Sequence, residues 1–116
     1  MAINNSSEIA VGIDPGSRIS GIGVVMNSGS RLIHVEHFPI KMPVKLSQTQ
    51  KLVVFADNFE AVLKKYPSAT IVIESLFTAK NVKSILTLSH IRGVAMMLAG
   101  KNGMDVPELP GPVSSG

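Results

Sequence analysis

Two carboxylates stand at the ends of apolar runs. Asp14 closes "AVGID" and is followed by Pro15-Gly16, and Glu74 closes "ATIVIE". In open α/β sheets, sites gather just beyond the carboxyl ends of strands, where the loops diverge. If these two runs are parallel neighbours, the acids meet there. Two carboxylates brought together without a counter-ion repel, and a cation resolves the repulsion. Oxygen ligands with no His or Cys beside them in the sequence favour Mg2+ or Mn2+ over zinc. Each acid also has a plainer role. An Asp before Pro-Gly is common turn chemistry, and a Glu at a strand end can simply be solvated. Only the coincidence of two acids at two matching strand ends puts the metal reading level with the plain one.

The elements that must position these acids are legible in the spacing of apolar residues. Ile9–Ile13 reads as a buried strand, Ile19–Met26 as a second and Arg31–Phe38 as a third. The turns between them, Pro15-Gly16-Ser17-Arg18 and Asn27-Ser28-Gly29-Ser30, are short, so the three strands form an antiparallel meander. Pro39–Lys45 reads as a linker. Ser47 and Gln50 form a capping box ahead of a helix in which Leu52, Phe55, Ala56, Phe59, Val62, Leu63 and Tyr66 recur at three- and four-residue steps, ended by Pro67. Ala69–Glu74, almost wholly apolar, reads as a central strand. Asn81–Ala99 is a second helix, apolar over more than half its circumference, which makes a subunit contact on it plausible. "MDVPEL" reads as the opening of a fifth strand. The order predicts an α/β domain, a mixed sheet with helices packed on it.

Composition narrows the classes. With 116 residues, 45% of them hydrophobic and 16% charged, the chain reads as one ordered domain. We divide it into a polar lead-in at 1–8, the domain at 9–108 and a tail at 109–116. The absence of cysteine excludes disulfides and Cys-based zinc sites. No apolar run of bilayer-spanning length is evident, and "MAINNSSE" lacks the build of a signal peptide, so no membrane association and a cytoplasmic location are expected. Eleven Lys and Arg against eight acids give a net charge of +3, a mild preference for a polyanionic partner. His34 and His37, three apart in a strand, are predicted to face opposite ways and so not to share a metal. His90 reads as a surface or interface residue.

Two longer stretches, "GIDPGSRISGIGVV" and "IESLFTAKNVKSILTLSHIRGVAMMLA", resemble the RuvC family of crossover junction endodeoxyribonucleases, the Holliday junction resolvases. The likeness runs from about Ile9 to Ala99, and the second motif is the more specific. It implies a ribonuclease H-like fold, here without the family's C-terminal helix. It also implies a homodimer acting on four-way junction DNA, and a branch-migration motor complex as partner. Asp14 and Glu74 match the first two catalytic acids. Phe77 matches an aromatic that stacks on a base at the opened junction, and the helix Asn81–Ala99 matches the dimer contact. The implied chemistry is phosphodiester hydrolysis with two Mg2+ or Mn2+ ions, Asp14 bridging them and Glu74 holding one. Arg18, Lys80, Asn81, Lys83 and Arg92 are the candidate DNA contacts, positioning rather than reading the strand. For the four basic residues a solvated surface role is an equal alternative, Arg92 has internal pairing open to it, and Phe77 has a core role.

The chain departs from the family at one point. The family has four acids, the last two on a C-terminal helix, and after Ala99 this sequence has only Asp105 and Glu108. Two carboxylates satisfy two metal ions poorly. The expectation is therefore a truncated or degenerate resolvase with weak metal binding and little cleavage by this polypeptide. The alternative is a non-catalytic junction-binding or dimerisation module of the same fold. A third reading, a sugar-kinase or actin-like ATPase with an Asp-x-Gly phosphate turn, is disfavoured by the second motif.

Overall fold

The structure is a computed structural model and describes residues 7–74 and 81–107. Its elements are β1 (Ser7–Asp14), β2 (Ile19–Ser28), β3 (Arg31–Lys41), α1 (Gln48–Lys65), β4 (Thr70–Ile73) and α2 (Val82–Lys101). The sheet order is β3-β2-β1-β4, with β1 antiparallel to β2, β2 antiparallel to β3, and β4 parallel to β1. The parallel pair requires a crossover, and α1 makes it.

Alternation along the strands separates the two faces of the sheet. Val11, Ile13, Ile22, Val24, Ile71 and Ile73 are buried on one face. Phe55, Phe59, Val62 and Leu63 of α1 and Ile91, Ala95, Leu98 and Ala99 of α2 join them in a single cluster. Inside it Phe55 and Phe59 stack with ring centroids 5.5 Å apart. The intervening positions, Gly12, Asp14, Gly21, Gly23, Val72 and Glu74, face the other way, and none is fully buried.

Local chemistry sets the ends of the elements. The capping box is formed, with Ser47 Oγ accepting from the Gln50 amide at 3.1 Å and Gln50 Oε1 accepting from the Ser47 amide at 2.9 Å. Gly29 takes φ +64° in the β2–β3 turn, a conformation that glycine adopts at least cost. Asn81 caps α2, its Oδ1 accepting from the Ser84 amide at 2.9 Å.

Four expectations change. β1 starts at Ser7, inside the stretch read as a polar lead-in. Pro39–Lys41 belong to β3 rather than to a linker; β3 is an edge strand, which tolerates proline's missing N–H. The described residues of "MDVPEL" are not a strand, although the Asp105 carbonyl accepts from the Ile71 amide at 2.9 Å along the β4 edge. The rest of that stretch, Glu108 included, lies outside the described residues. Finally, α2 is long and apolar enough to cross a membrane by length and composition, with a mean hydropathy of 1.2. Part of that apolarity is core, since Ile91, Ala95, Leu98 and Ala99 are buried. Val82, Ile85, Leu86 and Met97 remain exposed on the same helix.

Candidate metal and nucleic-acid site

The parallel pairing of β1 with β4 is the step that builds the site. Its register pairs Val11 with Ile71 and Ile13 with Ile73, and the Glu74 amide donates to the Ile13 carbonyl at 2.9 Å. Continuing that register by one residue sets Asp14 beside Glu74 on strands about 4.8 Å apart. Both point away from the helices, since each follows a buried isoleucine, and both are exposed. They line one open cleft of about 450 Å³ with Gly12, Gly21, Gly23, His37 and Pro39. The cleft is broad because three of its wall positions are glycine. Among the described residues no Lys or Arg pairs with either acid; the ion pair found there is Lys65 with Glu36, on the other face of the sheet.

This donor set suits a hard divalent cation. Two adjacent carboxylates, uncompensated by protein cations among the described residues, offer oxygen to an ion that completes its shell with water. They do not make a closed cage, and no cluster of three or more metal-ligating side chains occurs among the described residues.

The turn after β1 holds Asp14 in place. The Gly16 amide donates to Ser20 Oγ at 3.1 Å, and Ser20 Oγ donates to the Gly16 carbonyl at 3.4 Å. Ser20 is buried, so the turn is tied to the sheet from inside.

The remaining candidates are distributed more widely. Arg18 lies on the β1–β2 turn in a separate shallow depression with Ile19, Lys41, Met42, Pro43 and Val44. Asn81 serves as the α2 cap, and Lys83 is exposed in the first turn of that helix. Arg92 is half-buried and its guanidinium donates to Met96 Sδ, one turn on in the same helix, at 3.3 Å. None of these four lines the acidic cleft. Phe77 and Lys80 lie outside the described residues.

One expectation is overturned at the rim. His34 and His37 share a face: His34 Nε2 and His37 Nδ1 are 2.9 Å apart. The cause is a β-bulge. Val25 pairs with His34 and Val24 with Glu36, so Val35 is an extra residue and the alternation slips by one. His37, opposite Gly23, thereby becomes part of the cleft wall. No sequence signal announces this bulge, because the period-2 pattern reads straight through it.

The sheet order, the helices on one face and the acids at two parallel strand ends define a protein of ribonuclease H-like fold with an acidic cleft. The sequence model of "Crossover junction endodeoxyribonuclease RuvC" matches residues 10–111, and the chain belongs to this family. The RuvC of Myxococcus xanthus is 41% identical over 98 residues, covering 84% of this chain and 51% of that protein. The RuvC of Bdellovibrio bacteriovorus is 37% identical over 102 residues, covering 88% and 61%. The chain thus spans about half to three-fifths of the length of these relatives. The same fold is seen in Thermus thermophilus RuvC in complex with Holliday junction substrate, with a TM-score of 0.76, 17% identity, and coverage of 85% of this chain and 62% of that one.

Proposed function

We propose that this chain carries half of the metal-holding acids of a structure-specific endonuclease that resolves four-way DNA junctions by phosphodiester hydrolysis. The observation that carries this reading is the juxtaposition of Asp14 and Glu74 at the carboxyl ends of two paired parallel strands, lining one cleft. Family membership supports it, as does the junction-bound relative of like fold. Asp14 and Glu74 would hold Mg2+ or Mn2+, with two ions in a complete site. A divalent ion there supplies a Lewis acid for the phosphoryl oxygen and a water of lowered pKa. The chain's own part is to hold the two carboxylates adjacent, through the β1–β4 register, and to keep the approach open through Gly12, Gly21 and Gly23.

The exposed apolar residues of α2, Val82, Ile85 and Leu86 foremost, are the surface of a homodimer in this proposal. Lys83, in the first turn of the same helix, is placed to meet a phosphate beside that contact. Each ion takes about six oxygen ligands, so two acids are part of the donor set and further oxygen donors, water included, complete it. The second reading is a junction-binding or dimerisation module of the same fold that does not cut.

The experiment is Mn2+ titration followed by paramagnetic broadening of backbone amides, paired with cleavage of a four-way junction. Broadening centred on the amides of Gly12–Asp14 and Ile73–Glu74, and lost in Asp14→Asn, supports the site. Broadening elsewhere, or undiminished in Asp14→Asn, refutes it. Junction binding without a cut in Mn2+ selects the second reading.

A further inference from the structure

A pair of ring nitrogens stands at the cleft rim, apart from the two carboxylates. His34 and His37 are both exposed on β3, and their rings meet edge-on with centroids 5.0 Å apart. Among the described residues, the only side chain bonded to either ring is the other ring. No carboxylate or cation is committed to them. The 2.9 Å between His34 Nε2 and His37 Nδ1 is a hydrogen bond in which one nitrogen donates its proton to the lone pair of the other, the donor set by the tautomer.

We propose that this pair chelates one divalent transition-metal ion of the zinc, nickel or copper class, at a site distinct from the acid pair. Metal–imidazole bonds of about 2.0–2.1 Å subtending a right angle put the two nitrogens about 2.9 Å apart, and a tetrahedral angle puts them about 3.3–3.4 Å apart. The observed separation lies at the first value and within a small ring rotation of the second. Binding replaces the shared proton with the ion. The proton moves to the outer nitrogen of the same ring, His34 Nδ1 or His37 Nε2, so two neutral rings bind without net proton release. Imidazole ligands select these ions over Mg2+, which keeps the two sites chemically separate. Water fills the remaining positions. Because His37 also walls the acidic cleft, an ion held here stands on the same sheet face as Asp14 and Glu74.

The bulge is the feature that makes the pair. On a regular strand these residues would lie on opposite faces; the extra Val35 puts them together. Bulges are found beside functional sites, where they re-aim a side chain.

The test is Zn2+ titration of the tag-free chain, read by calorimetry and by imidazole 15N shifts. The expected result is one ion that moves the ring nitrogens of His34 and His37. His34→Asn and His37→Asn should each weaken it by more than about tenfold, at least the loss that removing even an outer-sphere partner causes. His90→Asn, changed elsewhere on the surface, should leave the affinity within twofold. Backbone amide spectra of each variant establish that the fold is kept, which is expected because both rings are exposed. Affinity unchanged in both β3 variants, or lost instead in Asp14→Asn, overturns the proposal. Failure of the Mn2+ experiment at Asp14 would leave this result untouched, since the two titrations read different residues.

Discussion

A methyl group added at Gly16 should unseat the turn that holds Asp14. Its Cβ would lie 1.9 Å from the Ile19 carbonyl oxygen and 3.0 Å from its carbon, against 3.4–4 Å for ordinary contact. The neighbour is backbone at the start of β2, where Ile19 is paired with Lys41, so it cannot swing aside like a side-chain tip. One partner must retreat by about 1.5 Å, starting from that 1.9 Å separation. Forcing a group into packed structure costs about 1–3 kcal/mol. The same movement breaks the Gly16–Ser20 hydrogen bonds, and Ser20 is buried, so its hydroxyl loses its partner at a cost of about 1–3 kcal/mol. Reduced freedom of the unfolded chain returns about 0.4–1 kcal/mol. Gly16→Ala should therefore destabilise by about 2–4 kcal/mol, or roughly 10–25 °C in Tm for a domain of this size. Gly23→Ala is the matched control, because a Cβ there meets nothing within 4 Å and the residue sits in the same cleft. It should change stability by no more than about 0.5 kcal/mol. Urea and thermal unfolding followed by circular dichroism measure both. Gly16→Ala unfolding within 0.5 kcal/mol of the parent would refute the close-approach argument, as would equal damage from Gly23→Ala.

Two further outcomes are expected. Tyr66 Oη and Lys65 Nζ both donate to Glu36 Oε2, the latter at 3.0 Å, clipping the end of α1 to β3. These bonds, Tyr66 first, hold the Glu36 carboxyl below its ordinary 4.5, while Glu36 raises Tyr66 above 10.0 and Lys65 above 10.5. A lowered acid stabilises above its unfolded pKa and loses that contribution as pH falls through the folded value. The raised Tyr and Lys stabilise below their unfolded pKa values and lose that contribution as pH rises through the folded ones. The stability difference between the parent and Glu36→Gln, from urea unfolding, should thus be greatest between about pH 5.5 and 9 and shrink on both sides. A difference independent of pH would contradict the network. On α2, Leu86 is 56% exposed, and in the homodimer proposed above Leu86→Glu should abolish association in sedimentation equilibrium, lowering Tm only by the stabilisation that association adds. A parent that is already monomeric, or a variant that remains dimeric, would remove α2 as the subunit contact.

Local rules carried most of the fold. The capping box at Ser47 and Gln50 formed as its spacing required, because a cap depends on residues three apart. The apolar steps of α1 placed Phe55, Phe59, Val62 and Leu63 in the core, because a helix turns its side chains with a fixed period. The apolar excess of α2 was legible, and the structure divides it into a buried set and an exposed set. The strand ends were less legible. Pro39 suggested a linker, yet an edge strand with no partner on one side accommodates it. The four described candidates for DNA contact, Arg18, Asn81, Lys83 and Arg92, show the limit for charged and polar residues, since nothing local dictates which cleft they face.

What the amino-acid order determined by itself was periodicity, caps and two acids at the ends of apolar runs, because these depend on neighbours a few positions apart. That Asp14 and Glu74 stand side by side was decided by the tertiary structure, through a parallel β1–β4 register between segments sixty residues apart. The union of His34 and His37 was decided there too. A single inserted residue is invisible to a period-2 pattern, and only pairing with β2 shows that Val35 has no partner, so that two rings expected on opposite faces share one.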